Sequence, residues 1–343
     1  MMNKDVLYMS RLQSCIQKIK DVTEGVEPLY DYIERMIFAP VNSEALLSMS
    51  LFWMADAGRS AESGLPAATF EKLVRAMEVK QNPNLNKILY WYDVEAWLNA
   101  IQDRVSTIEW MLEEFYDLLS SETKTEDEKI CRAVMYTGED GRKVYMAANM
   151  IFINLASVFD ILSKVACELE YFPQYDFKAY PRIASKDIIY KNQLRVSALL
   201  RQPGMLFETP EQPIIRKIET LRNEYVHNGP WDRSASIYSP SDEEGNPMPE
   251  FMMMPDMAED GNFRKVKNRN KFYAEHKKIN EELIPIVEET LDVIEKTLDG
   301  IREVAIAQTA SGDGEEELLK AMETMTEVIK ETGEIMVKDF KKK

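Results

Sequence analysis

The 343-residue sequence is poor in the residues that most metal and redox sites use. It has two histidines, His227 and His276, and three widely spaced cysteines, Cys15, Cys131 and Cys167. No Cys-x-x-Cys pair occurs, so neither a disulfide framework nor a thiolate zinc site is suggested. There is no phosphate-binding Gly-rich loop, no His-Glu-x-x-His and no Gly-x-Ser-x-Gly. The opening Met1-Met2-Asn3-Lys4-Asp5 leads straight into an amphipathic pattern and lacks the apolar core and cleavage site of a signal peptide. A reducing, cytoplasmic compartment is therefore expected. The most apolar stretch, Tyr145 to Cys167, is interrupted by Asn149, Asn154, Asp160 and Lys164. It reads as a buried helix, not a membrane span.

Basic charge is also scarce overall. The formal net charge is -17, which argues against nonspecific nucleic-acid binding. The deficit is uneven. Residues 1–140 and 281–343 are strongly acidic, whereas residues 181–230 are mildly basic and residues 261–280 hold seven Lys/Arg against one acidic residue. The middle of the chain is a basic island between acidic flanks.

What is abundant is helical periodicity. Apolar residues make up 45% of the chain, enough for a sizeable core. Steps of three and four predict helices over Val6–Ile37, Ser43–Ala57, Ala67–Val79 and Leu85–Leu119. The charged stretch Ser121–Lys129 reads as a linker and Gly138-Glu139-Asp140-Gly141 as a turn, so a domain boundary is placed near residue 140. An apolar helix is expected over Arg142–Tyr171. Its polar stripe of Ser157, Asp160, Lys164 and Glu168 is either exposed, partner-facing or a wall of a site. A loop over Phe172–Tyr180 and a basic helix over Ser185–Arg201 follow. The next helix starts either at Thr209, with Gln212 at capping-box spacing, or at Pro213, and it ends at Asn228-Gly229-Pro230. Ile214, Ile218, Leu221 and Tyr225 form its buried stripe.

Residues 230–275 lack helical periodicity and read as an insertion, either a hairpin, with Ser234–Tyr238 and Phe251–Met254 as short strands joined by the turn Asp242-Glu243-Glu244-Gly245, or a mobile loop. Met252-Met253-Met254 suits a core filler better than a metal site. A long helix resumes near His276 and runs to Thr309. After the hinge Ser311-Gly312-Asp313-Gly314, a last amphipathic helix carries Leu318, Met322, Met325 and Ile329. The expectation is an all-α protein in three parts: an N-terminal helical region (1–140), a helical bundle with an insertion (141–310, insertion 230–275) and a C-terminal amphipathic helix (311–343).

One cluster carries chemistry. Asn223 and His227 are four residues apart and share a helical face, with Arg222 adjacent. Imidazole accepts or gives a proton near neutral pH. A guanidinium grips phosphate with a planar fork and stabilises charge gathering on it in a transition state. The amide can orient either group. In the last helical turn, a histidine also meets the negative end of the helix dipole. The bland reading is that Arg222 and His227 merely cap helix carbonyls.

The segment Leu221-Arg222-Asn223-Glu224-Tyr225-Val226-His227-Asn228-Gly229 resembles the signature of the HEPN superfamily (higher eukaryotes and prokaryotes nucleotide-binding). That signature is Arg, a polar residue that is commonly Asn, a few further residues, then His, near a helix end in an α-helical bundle. The resemblance covers about residues 142–310 without the insertion. It implies a HEPN-like helical bundle and a metal-independent endoribonuclease without cofactor, of the kind found in prokaryotic toxin–antitoxin, phage-defence and CRISPR-linked systems. Arg222, Asn223 and His227 would be the catalytic residues, in a homodimer whose two motifs face each other, acting on RNA and neutralised in some systems by a protein partner. Some relatives of this kind are inactive scaffolds, so a non-catalytic module that binds RNA, nucleotide or a protein partner is the alternative. One departure matters: the tyrosine that the toxin branch commonly places two residues after the histidine is Gly229 here.

A second match, Arg269-Asn270…His276, lies in the basic stretch Arg264, Lys265, Lys267, Arg269 and Lys271. It is either a second catalytic half or, with Lys265, Lys267, Arg269 and Lys271, an RNA-contacting edge. The bland reading is a solvated charge run.

Overall fold

A computed structural model of the chain describes residues 4–38, 66–80, 83–120, 128–130, 133–136, 138–178, 198–232, 234–246, 248–309 and 330. Helices dominate: α1 (Lys4–Phe38), α2 (Ala67–Lys80), α3 (Pro83–Ser120), α4 (Glu139–Tyr171), α5 (Pro213–Asn228) and α6 (Ile279–Gln308). The all-α expectation holds. The helices expected over 43–57 and beyond residue 314, and most of the basic helix over 185–201, fall outside the described residues. Its last four residues, Ala198–Arg201, form a 3-10 turn.

The long helices form because their apolar residues recur at alternating steps of three and four. In α1 the buried series is Cys15, Ile19, Val22, Val26, Leu29 and Ile33; in α3 it is Val94, Leu98, Ile101, Val105, Ile108, Leu112 and Phe115. That spacing keeps a seam on one side of each helix, the pattern of near-antiparallel packing. Polar bonds show the direction. Lys20 pairs with Glu109, Gln102 Nε2 donates to the Thr23 carbonyl, and Tyr30 Oη donates to Asn99. As α1 advances α3 retreats, so the two are antiparallel neighbours.

Contacts divide the chain into two compact units. One comprises residues 1–25, 101–162 and 198–299; the other comprises 26–100, 163–197 and 300–343. Each takes segments from both sides of residue 140. In the first unit α3 is tied to α4 by Arg104–Asn154 and to α6 by Tyr116 Oη donating to the Asn280 carbonyl. Lys18 of α1 pairs with Asp292 of α6. In the second unit Tyr90, Phe172, Tyr175 and Phe177 pack ring on ring. Glu168 lies among them, 1% exposed, and accepts hydrogen bonds from Tyr90 and Tyr175. The polar stripe of α4 is therefore not one continuous exposed face: its last member is an interior anchor.

Short strands enter at the end of the expected linker (121–129), between it and the expected turn (138–141), and in the insertion. β1 (Glu128–Ile130) and β2 (Ala133–Tyr136) pair antiparallel, and β2 pairs with β3 (Ile237–Pro240). The strand expected over 234–238 is thus shifted towards 240 and recruits a partner from outside the insertion. Phe251–Met254 makes bridges only, Tyr238 with Phe251 and Met253 with Lys278. Four-residue strands carry too few residues for a period of two to stand out. The start of α5 resolves in favour of Pro213, whose missing N–H falls among donors a helix start leaves unpaired anyway. Of the described helices only the α4 span is long and apolar enough to cross a membrane, and 67% of its most apolar window is buried inside the protein.

Glu34 is an acid in the wrong place for water. It is 6% exposed, its Oε1 has no hydrogen-bond partner, and burial with nearby Asp31 and Glu95 raises its carboxyl to about 7. The folded chain therefore holds a proton that the unfolded chain releases at lower pH. The stability this gives is full below the unfolded value of 4.5 and is lost as pH rises through about 7. Glu34→Gln should melt at a higher temperature than wild type at about pH 8, with the gap closing by about pH 4. Melting curves at several pH values check it; a gap independent of pH would contradict the assignment.

Candidate functional site

α5 is anchored by Ile214, Ile215, Ile218 and Leu221, all buried, which turns Asn223 and His227 away from the core while Arg222 leaves the helix on the anchored side, between Ile215 and Ile218. The three expected buried positions at 214, 218 and 221 are confirmed, while Tyr225 is half-buried, its ring tilted against that of Tyr145 at 5.7 Å between centroids. At about 100° per residue, Arg222 and His227 leave the helix roughly 140° apart, whereas Asn223 and His227 differ by only about 40°. Arg222 Nη1 donates to Asn223 Oδ1 at 2.7 Å, which swings the guanidinium towards the Asn223–His227 side. Arg222 and Asn223 are half-buried; Arg222 Nε is enclosed and has no hydrogen-bond partner. His227 is exposed in the last turn.

The helix ends by an abrupt change of backbone direction. Gly229 has φ 100° and ψ -154°, and its N–H bonds the Glu224 carbonyl at 3.1 Å. That conformation belongs to glycine. It gives a physical account of the departure from the toxin-branch pattern: a tyrosine at 229 would be strained in this backbone. Beyond it Trp231 turns inward and is 1% exposed. Its N–H donates to Tyr145 Oη, its indole Nε1 donates to the Leu221 carbonyl at 3.2 Å, and its carbonyl accepts from Tyr273 Oη.

Tyr273 belongs to the insertion, and so does Lys271. Lys271 Nζ lies 2.8 Å from Glu224 Oε1 and also donates to the Pro230 carbonyl at 3.3 Å. The segment carrying the second Arg-Asn…His match is therefore tied to the end of α5. The match itself is not helical. Arg269 closes a tight turn with Val266, Asn270 is half-buried, and His276 is exposed with φ 51°, three residues before α6 begins.

The four residues expected as an RNA-contacting edge do not share one environment. Lys265, Lys267 and Arg269 are exposed around the turn Val266–Arg269, and Lys267 holds φ 53° at its tip. Among the described residues none of these three pairs with a carboxylate within ion-pair distance. Arg264 instead pairs with Glu275, and Lys271 is engaged as above. Sequence reasoning missed Glu224, Trp231 and Tyr145. Glu224 did carry a signal, since an acid near the C-terminal end of a helix opposes the helix dipole and so calls for a cationic partner.

A methyl group on Gly229 would meet nothing within 4 Å, so substitution there isolates the backbone cost. Gly229→Ala should destabilise the protein by about 1–3 kcal/mol and loosen the His227 turn. Denaturant melts and amide exchange at 225–229 measure this; unchanged stability would show that the turn relaxes at no cost. No protein-family model, curated protein or solved structure matches this chain, which leaves the α5 turn and its chemistry as the ground for its function.

Proposed function

We propose that the chain is a metal-independent endoribonuclease of HEPN type, and that Arg222, Asn223 and His227 carry the reaction. The single supporting observation is the Arg222–Asn223 hydrogen bond, which turns a guanidinium towards the side of the helix where an exposed imidazole stands one turn on. In this scheme His227 takes the proton from a ribose 2′-hydroxyl as it attacks the adjacent phosphorus, or gives a proton to the departing 5′-oxygen. Arg222 stabilises the charge on the five-coordinate phosphorus. Asn223 keeps Arg222 oriented. The products are a 2′,3′-cyclic phosphate and a free 5′-hydroxyl, and the setting is a prokaryotic defence or toxin system, with a neutralising protein partner where it acts as a toxin.

A second reading draws on the burial of Arg222. An arginine whose Nε is enclosed and whose Nη1 is held by its neighbour is also what a purely structural arginine looks like. On that reading the chain is a non-catalytic module that binds RNA, nucleotide or a protein partner. His227→Ala and Arg222→Ala should each reduce cleavage of an oligoribonucleotide by at least about a hundredfold, in chelator, with the helical fold retained. Full activity in either purified variant rules out the assigned site; binding by wild type without turnover selects the second reading.

One Arg-Asn…His set supplies one imidazole, whereas this chemistry benefits from an acid and a base. A two-fold homodimer is the simplest way to bring a second set. Activity per chain should then fall on dilution in step with dimer dissociation measured by light scattering. A monomer that stays active on dilution and is inactivated by His276→Ala would replace the homodimer with the second set of the same chain.

A further inference from the structure

We propose that Lys271 is a positioning residue and not a phosphate contact: through the buried Glu224 carboxylate it holds the α5 turn that carries His227. The role in catalysis rests on the ribonuclease reading above.

Glu224 is the hub of that turn. Its side chain is 8% exposed, Oε1 takes Lys271 Nζ at 2.8 Å, and Oε2 accepts from Asn228 Nδ2 at 2.9 Å. Its backbone carbonyl takes the N–H of Gly229 at 3.1 Å. Residues 224 and 228 are thus stapled across the one turn in which His227 stands. Lys271 adds a bond to Pro230, beyond the break at Gly229, and so ties the helix end and the segment leaving it to the insertion.

The arrangement is costly on its own. A carboxylate near the C-terminal end of a helix lies towards the negative end of the dipole, and a buried one also loses its hydration. Glutamine would fill the same space without either cost. Lys271 offsets both, and only a cation that reaches from outside the helix does so. What the pair provides beyond stability is a fixed relation between the His227 turn and the basic turn at 264–269. The basic run then divides by role: Lys265, Lys267 and Arg269 face solvent, whereas Lys271 faces Glu224.

The two histidines make the test direct, since a His276→Gln control assigns both imidazole signals in protein carrying labelled histidine. Lys271→Met should displace the His227 ring resonance and its titration midpoint. It should lower kcat on an oligouridylate by about tenfold or more, with KM changed less than about twofold. Lys271→Arg should restore both. The pair Glu224→Gln with Lys271→Met should regain wild-type melting while the His227 signal stays displaced, because charge is balanced but the tether is gone. Lys265→Ala, Lys267→Ala and Arg269→Ala together should raise KM, flatten the salt dependence of binding and leave the His227 signal in place. An unmoved His227 signal in Lys271→Met, or a raised KM with unchanged kcat, overturns the proposal. If wild type does not cleave RNA, the ribonuclease reading fails by itself and the resonance still decides the tether.

Discussion

The first unit depends on where Trp231 goes. It is the largest fully buried side chain described, and it lies one residue past the Pro230 that follows α5. Its ring packs edge-on against Tyr145 and Phe152 of α4, at 5.0 and 5.6 Å between centroids. Its three polar groups reach three different segments: α4 through Tyr145, α5 through the Leu221 carbonyl, and the insertion through Tyr273. Burying an indole is favourable by several kcal/mol only where its N–H finds an acceptor, and here that acceptor is a carbonyl of the helix it follows. The chain can turn back so sharply because Gly229 adopts a conformation closed to other residues. Gly229 and Trp231 together fix the exit from α5, and thereby the place of its last turn.

The insertion is ordered by the same kind of contact, not by regular structure. Asp256 is 1% exposed and accepts from the backbone N–H groups of Ala274 and Glu275. Of the methionines expected as core fillers, Met252 and Met254 are buried and Met253 is half-buried. Gly261 approaches α5 so closely that a Cβ there would stand 2.1 Å from the Pro213 carbonyl. These are side-chain-to-backbone and close-approach contacts between residues far apart in sequence. They leave no periodic trace, which is why the segment looked irregular while its flanking helices were plain.

Legibility followed the same rule at each level. α1, α3, α4 and α6 could be read to within a few residues because seams of alternating three- and four-residue steps run their length. The β1–β2 pair could not, since its strands are only three and four residues long and β2 finds its other neighbour in β3, about a hundred residues later. At the site, Arg222, Asn223 and His227 were visible because spacing on one helix is a local property. The hydrogen bond that turns Arg222 towards Asn223 was within that reach. The pairing of Glu224 with Lys271 was not, because it joins a helix to a loop 47 positions away. Grouping Lys271 with Lys265, Lys267 and Arg269 was the natural reading of a charge run and missed that one member is turned inward.

That inward turn bears on how an acidic protein presents a basic edge. With a net charge of -17, the chain as a whole repels polyanions, and any phosphate-facing surface must be local and short in range. The structure subtracts further from the basic run: Arg264 and Lys277 are bound to Glu275, Lys278 to Glu281 and Lys271 to Glu224. What is left exposed is a turn with Lys265, Lys267 and Arg269 around Val266, which is itself 61% exposed. Three cations on one tight turn make a narrow contact, enough to hold a few phosphates and too small to bind a polyanion without other help. On the ribonuclease reading proposed above, specific recognition falls to the α5 turn, where the Arg222 guanidinium is held by its bond to Asn223 and the His227 imidazole stands exposed. In such an arrangement the loosely placed charges set affinity, while the internally bonded ones set geometry.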